Sequence, residues 1–264
     1  MTIDILDQPR GEILEKTVEY FALYPEPVLL DDLIRIMTYE DADKFFLKNV
    51  LELLKELEFI EIKNKTVFCN LENTVRKFSS SDFSINFKLS LLNKVSESKE
   101  PKIKYFIDIL RLLMEKRIVS EESLEEVIRE ARVKNKIKVS SGEEGSGKKQ
   151  FLKQLLSYYN ILIPYEKSRY LVTLPDTLFY YVLKTAINDL DKKNVNLVLD
   201  LLPHIDSHYF PVFDMKKENP LPIILSSLRD QEKTGVYRFS FVGDGGAGVE
   251  IGDNKVNYIE EVGE

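Results

Sequence analysis

Between Arg129 and Lys153 the sequence holds eight basic and three acidic residues, a local charge of +5. The whole chain, with 37 basic and 44 acidic residues, sums to −7, so the remainder carries −12. Charge segregated in this way is the footprint of a polyanion contact. The candidate phosphate-contacting residues are Arg132, Lys134, Lys136 and Lys138 in a polar insertion, Lys148, Lys149 and Lys153 at the start of the helix after it, and Lys167 and Arg169 at a hairpin. Cations so placed would give mainly sequence-independent, salt-sensitive affinity for nucleic acid. The alternative is an exposed lysine-rich loop that keeps a helical protein in solution. A second set has the opposite sign. Glu40, Asp41 and Asp43 would repel phosphate, yet with Tyr39 beside them as an aromatic anchor they suit a protein partner carrying arginine or lysine.

Three further motifs carry weaker chemistry. Gly142 to Lys148 has the G-x-x-x-x-G-K spacing of a phosphate loop. Lys149 stands where a serine or threonine would hold magnesium, Glu143 and Glu144 place carboxylates beside the phosphates, and no strand–helix–strand series surrounds the motif. His204 and His208, four apart, could share a metal with Asp200, Asp206 or Asp214, but Pro203 and Pro211 suggest a helix end or loop with ordinary hydrogen-bonding histidines. Cys69, the single cysteine, is expected in a hairpin strand as a small buried hydrophobe; alone it excludes an internal disulfide framework or a Cys-rich zinc module. Tyr158-Tyr159 and Tyr180-Tyr181 could stack on bases, but at helical spacing they read as core edge. No catalytic residue, metal or cofactor is expected.

These residues must be held by short elements. Apolar residues at helical spacing predict helices over 11–24, 28–37 and 40–57, followed by β-rich tetrads at 59–62 and 66–69 around a tight turn. The order returns with helices over 102–116, 120–132 and 148–159 and a hairpin from 161–163 and 170–173. Leu53-Leu54 precedes its strand by the same interval as Leu155-Leu156, although such an interval can arise by chance at any helix-to-strand junction. A helix carrying Phe83, Phe87 and Leu92 joins the copies. Beyond Pro175 the pattern gives a helix at 178–190, a short one near 195–202, another at 221–228, and β signals at 236–242, 249–251 and 256–259, so that a third helix-plus-hairpin unit can be drawn.

Three short helices followed by a hairpin resemble the winged-helix domain, a relative of the helix-turn-helix, here in tandem; element order and lengths carry the resemblance. It implies that the third helix of a DNA-reading copy enters the major groove while the wing contacts phosphate. The expected class is mainly α with small β-hairpins (α+β), comprising a first winged-helix domain at 1–70, a helical connector at 71–100, a second winged-helix domain at 101–175, and a C-terminal helical region at 176–264 ending in a β-hairpin or small sheet.

With 264 residues, an apolar fraction of 44% and a charged fraction of 31%, the composition is that of a soluble globular protein without a membrane span. The first residues lack the basic and apolar regions of a secretion signal, so a cytoplasmic location is expected. Two functional expectations stand. In one, the second unit binds double-stranded DNA and other surfaces bind a protein partner, inside a regulatory, DNA-processing or defence assembly. In the other, both winged helices are protein-docking modules without DNA binding, as the resemblance to tandem winged elements of chromosome-organising complexes implies. A nucleotide-binding enzyme comes third.

The defective phosphate loop generates a direct test. Calorimetric titration with ATP or GTP and magnesium is expected to show no binding; tight binding lost in Lys148→Ala would overturn both this reading and the expected fold.

Overall fold

The computed structural model describes residues 4–6, 10–38, 44–138, 146–191, 194–211, 222–243, 248–251 and 253–262. Its first unit runs α1 (Gly11–Leu23), β1 (Val28–Leu29), α2 (Leu30–Thr38), α3 (Lys44–Glu56), β2 (Glu61–Lys63) and β3 (Thr66–Phe68). Pro25 and Pro27 end the first helix, since each lacks an amide donor and restricts the residue before it. Val28 and Leu29, expected within a helix, instead pair with Val67 and Thr66, and the sheet order is β1-β3-β2. Two residues are too few to show a strand period, and their partner lies far along the chain. The turn between β2 and β3 places both Asn64 and Lys65 at positive φ, the geometry of a two-residue hairpin.

A connector of α4 (Leu71–Thr74) and α5 (Phe83–Glu97) leads to the second unit: α6 (Pro101–Met114), β4 (Ile118–Ser120), α7 (Glu121–Lys134), α8 (Ser146–Tyr158), β5 (Leu162–Glu166) and β6 (Arg169–Val172). Its sheet order is β4-β6-β5, the order of the first unit. The third unit comprises α9 (Asp176–Leu190), β7 (Val195–Asn196), a π-helical turn (Leu197–Leu201) continuing into α10 (Leu202–His208), α11 (Pro222–Lys233), β8 (Tyr237–Ser240), β9 (Val249–Ile251), β10 (Asn254–Val256) and β11 (Tyr258–Glu261). Here too the central strand is the last one, in the order β7-β11-β8, while β9 and β10 form a separate hairpin inserted before it. The buried Asn257 closes the base of that insertion, its amide group bonding both Val242 N–H and Val242 carbonyl at 2.9 Å. The expected helix near 195–202 is corrected at its start, where Val195 and Asn196 pair with Ile259 and Tyr258.

The same sequence of helix, strand, helix, helix, strand, strand therefore occurs three times. A shared backbone device marks each junction between third helix and sheet: Glu58, Asn160 and Gly235 all take positive φ, and their amides bond to Lys55, Ser157 and Glu232 carbonyls three residues back. In the first two units the next amide bonds to the second leucine of the pair, Phe59 to Leu54 at 2.8 Å and Ile161 to Leu156 at 2.9 Å. The repeated leucine-to-strand interval is thus a repeated helix end.

Mainly helical with small antiparallel sheets, the chain packs its units around common apolar contacts. Ile5, Leu14, Leu53, Leu91, Phe106 and Leu155 line one small void, bringing together the N-terminal strap, α1, α3, α5, α6 and α8. Arg76 from the connector reaches the third unit, lying 4.5 Å above the Tyr209 ring and 3.5 Å from Asp189. No helix among the described residues is long and apolar enough to cross a membrane.

Gly11 is the point where α1 crosses α8. A Cβ at this position would lie 2.2 Å from the ring of Tyr158, whose hydroxyl donates to Glu15 on the same helix. Gly11→Ala is therefore expected to destabilise the protein by about 1–3 kcal/mol through overpacking, measured as a lowered urea midpoint.

Candidate functional site

The helix that a winged-helix unit would present to a groove is α8. Its lysines at 149 and 153, four residues apart, share a face with the glutamates at 121 and 125, four apart on α7. Lys149 Nζ lies 3.1 Å from Glu121 Oε2 and 2.6 Å from Glu125 Oε1, and Lys153 Nζ donates to Glu121 Oε1 at 2.8 Å. The hydroxyl of Tyr170, on β6, donates to the same Glu121 oxygen at 3.0 Å. Hydrogen bonds from Lys153, Lys149 and Tyr170 together hold the Glu121 carboxyl down at about 2, while bonds to Glu125 and then Glu121 raise Lys149, and the bond to Glu121 raises Lys153. Glu121 sits there because Ser120 caps α7, accepting the Ser123 N–H at 3.2 Å, and acidic residues are favoured in a first helical turn.

Lys148 points elsewhere. Its Nζ is 2.5 Å from Asp4 Oδ2, with side-chain exposures of 15% and 2%. Asp4 Oδ1 also accepts the Tyr105 hydroxyl at 2.6 Å and the Leu6 amide at 3.0 Å, while the Ile5 amide bonds to the Lys102 carbonyl at 3.0 Å. The strap at residues 4–6 is thereby fastened to α6 and α8. All three candidate lysines of α8 are engaged by carboxylates, and its fully exposed described positions are Gly147, Gln150 and Ser157.

The remaining candidate cations divide. Arg132 is buried, not the exposed cation that was expected, and its Nη2 donates to the Lys138 carbonyl at 3.4 Å beyond the end of α7. Lys134 pairs with Asp108 at 2.6 Å, and Arg169 with Glu166 at 3.3 Å. Lys136, Lys138 and Lys167 are exposed. Tyr39, Glu40, Asp41 and Asp43, the candidate partner-binding set, lie outside the described residues.

The phosphate-loop motif falls largely outside the described residues, and its lysine is the one bound to Asp4. The ring centroids of His204 and His208 lie 4.4 Å apart with the planes tilted by 34°, and His208 Nδ1 is 2.7 Å from Ser207 Oγ. Burial, and then the neighbouring His208, lower the pKa of His204. Among the described residues no group of three or more His, Cys, Asp or Glu side chains is placed to hold a metal. Cys69 follows β3 instead of lying within it; burial pushes its thiol up to about 11, as suits an unreactive cysteine. Tyr158 and Tyr159 are buried, with their rings edge to face.

Sequence reasoning missed a surface on the second unit's sheet. Val119, Leu162 and Val172 face the core, so Ile118, Leu171 and Ile163, paired in register across β4, β6 and β5, face outward as one apolar row. Ile118 and Ile163 are 48% and 44% exposed, and Tyr165 beyond them is 57% exposed. The signal was present: strands without polar alternation are ordinarily covered on both faces. The same outer face in the third unit is closed by the ion pair Arg238–Glu260, and in the first it mixes Leu29 and Phe68 with Glu61, Lys63 and Thr66. Topology alone thus does not demand an apolar outer row. Comparison of the chain with models of protein families, with curated proteins and with solved structures found no match.

The buried pair generates a double-mutant test. Asp4→Asn removes the Asp4 charge from the partly buried Lys148 ammonium and should lower unfolding free energy by about 3–5 kcal/mol, whereas adding Lys148→Met should restore most of it. Urea denaturation of the three variants checks both steps. The Glu121 contacts add a pH dependence. Because its folded pKa is depressed, their stabilisation is present above the unfolded carboxyl value of about 4.3 and is lost as pH falls towards about 2. Glu121→Gln should flatten that acid limb of the stability profile.

Proposed function

We propose that the chain is a non-enzymatic, cytoplasmic adaptor of tandem winged-helix units, which acts by docking proteins within a larger regulatory, DNA-processing or defence assembly. The thrice-repeated element order with the last strand central supports the winged-helix assignment. One observation carries the choice of docking over DNA reading: Lys148, Lys149 and Lys153 are consumed by Asp4, Glu121 and Glu125. A phosphate approaching α8 would have to displace a buried ion pair on one side and would meet Glu121, Glu122 and Glu125 on the other. The apolar outer row of the second sheet supports docking directly, since contiguous exposed apolar surface marks interaction sites.

A second reading has its own support. Lys136, Lys138 and Lys167 are exposed and form no ion pair among the described residues, which favours a weak, sequence-independent contact with nucleic acid beside α8.

Fluorescence anisotropy with a labelled DNA duplex at about 50 mM salt separates the two, because counterion release most favours association there. The docking reading expects no saturable binding in the micromolar range. Micromolar binding that falls steeply with salt and is abolished by Lys136→Glu, Lys138→Glu and Lys167→Glu together would replace it with the nucleic-acid reading.

A further inference from the structure

The apolar outer row of the second sheet has a mainly basic rim, interrupted by the acids Glu115 and Glu166. Lys116 and Arg117 precede Ile118, and Lys167 follows Tyr165 at the turn; all three are exposed and without an ion-pair partner among the described residues. Of the acids there, Glu166 is already paired with Arg169. The first unit carries a more acidic surface, where Lys63 in the row of Leu29 is paired with Glu61 and Lys65 stands exposed at the turn. Leu23 and Tyr24, 71% and 59% exposed, end α1, and Leu29 stands on the outer face of the adjoining strand, opposite Thr66. Glu19, Glu26 and Asp31 around them are exposed and unpaired among the described residues, and residues 19–38 hold four acidic residues against one basic, Arg35, which pairs with Asp32.

From these two surfaces we infer that the occupant of the second unit's sheet face is the first unit of another copy of this chain, docked head to tail. The inference rests on the docking reading above and names its partner. Both surfaces are open in the single chain, so neither is satisfied internally. They match in chemistry: isoleucine, leucine and tyrosine supply the apolar centre on the second unit, leucine and tyrosine on the first, and each side has a tyrosine of the kind enriched at the centre of interfaces. Opposite rim charges steer encounter and fix register, and they disfavour pairing either face with itself. Because the two faces differ, each added copy leaves one of each exposed. The contact is heterologous and propagates beyond a dimer unless the ring closes.

Sedimentation velocity over a concentration series, with the full chain, tests this. The wild type is expected to grow past the dimer with rising concentration, and to shift back towards monomer as salt screens the rim charges. Ile118→Glu with Ile163→Glu blocks one face, and Leu23→Lys with Tyr24→Lys blocks the other; each double variant alone should remain a monomer. Mixed, the two should form a one-to-one dimer and stop, since one intact face of each kind remains in the pair. Far-UV circular dichroism and thermal melts verify that these surface variants fold. A wild type that is monomeric throughout, or a mixture that stays monomeric while the wild type assembles, would each overturn the inference. The docking reading itself is judged separately, by the DNA titration, so the two failures are distinguishable.

Discussion

A carboxylate and an ammonium buried together at Asp4 and Lys148 set the terms for much of this molecule. Removing two charges from water costs several kcal/mol per ion, offset only when each is closely paired and further hydrogen-bonded. Here the Tyr105 hydroxyl and the Leu6 amide complete the shell of Asp4. The strap that carries Asp4 must therefore stay on the second unit, and α1, which follows it, is held across α8. That crossing is close enough that only glycine fits at position 11 against Tyr158. One ion pair thus connects the N-terminal strap, the approach of the first two units and the fate of the third helix.

Each unit uses the same element order with a different surface. In the second, the third helix is turned into structure, with lysines bound by carboxylates of α7 and the strap, and the outward apolar surface moves to the sheet. In the third, the sheet face is closed by Arg238 and Glu260 and the chain departs from the pattern between its last two strands, where a hairpin is inserted and clipped by Asn257. In the first, apolar and acidic residues concentrate where α1 gives way to β1. A repeated topology with divided surfaces suits a scaffold whose units engage different neighbours, and it accounts for an acidic chain containing a basic segment: much of that segment's charge is answered from within.

The helices were largely legible, because a stripe such as Val50, Leu53, Leu54 and Leu57 reports burial through a local period. The hairpins and the leucine-pair interval were legible for the same reason, and the latter proved to be a shared left-handed helix end at Glu58 and Asn160. The short first strands β1 and β7 were not. Val28 and Val195 are extended only because β3 and β11 lie beside them, and two residues offer no alternation to read. The third unit was blurred further by the inserted hairpin, which separates β8 from its partner β11.

For the candidate site, the sequence by itself determined which residues carry charge and that Lys149 and Lys153 share a helical face; the period of the α-helix requires it. Only the tertiary structure decided what that charge meets. Lys148 finds a carboxylate 144 positions away, Arg132 turns inward, and Ile118, Leu171 and Ile163 become one row through pairing of three strands. Helical periodicity is a property of neighbours along the chain, whereas an ion pair or a cross-strand row is a contact through space, fixed by where the fold brings distant segments together.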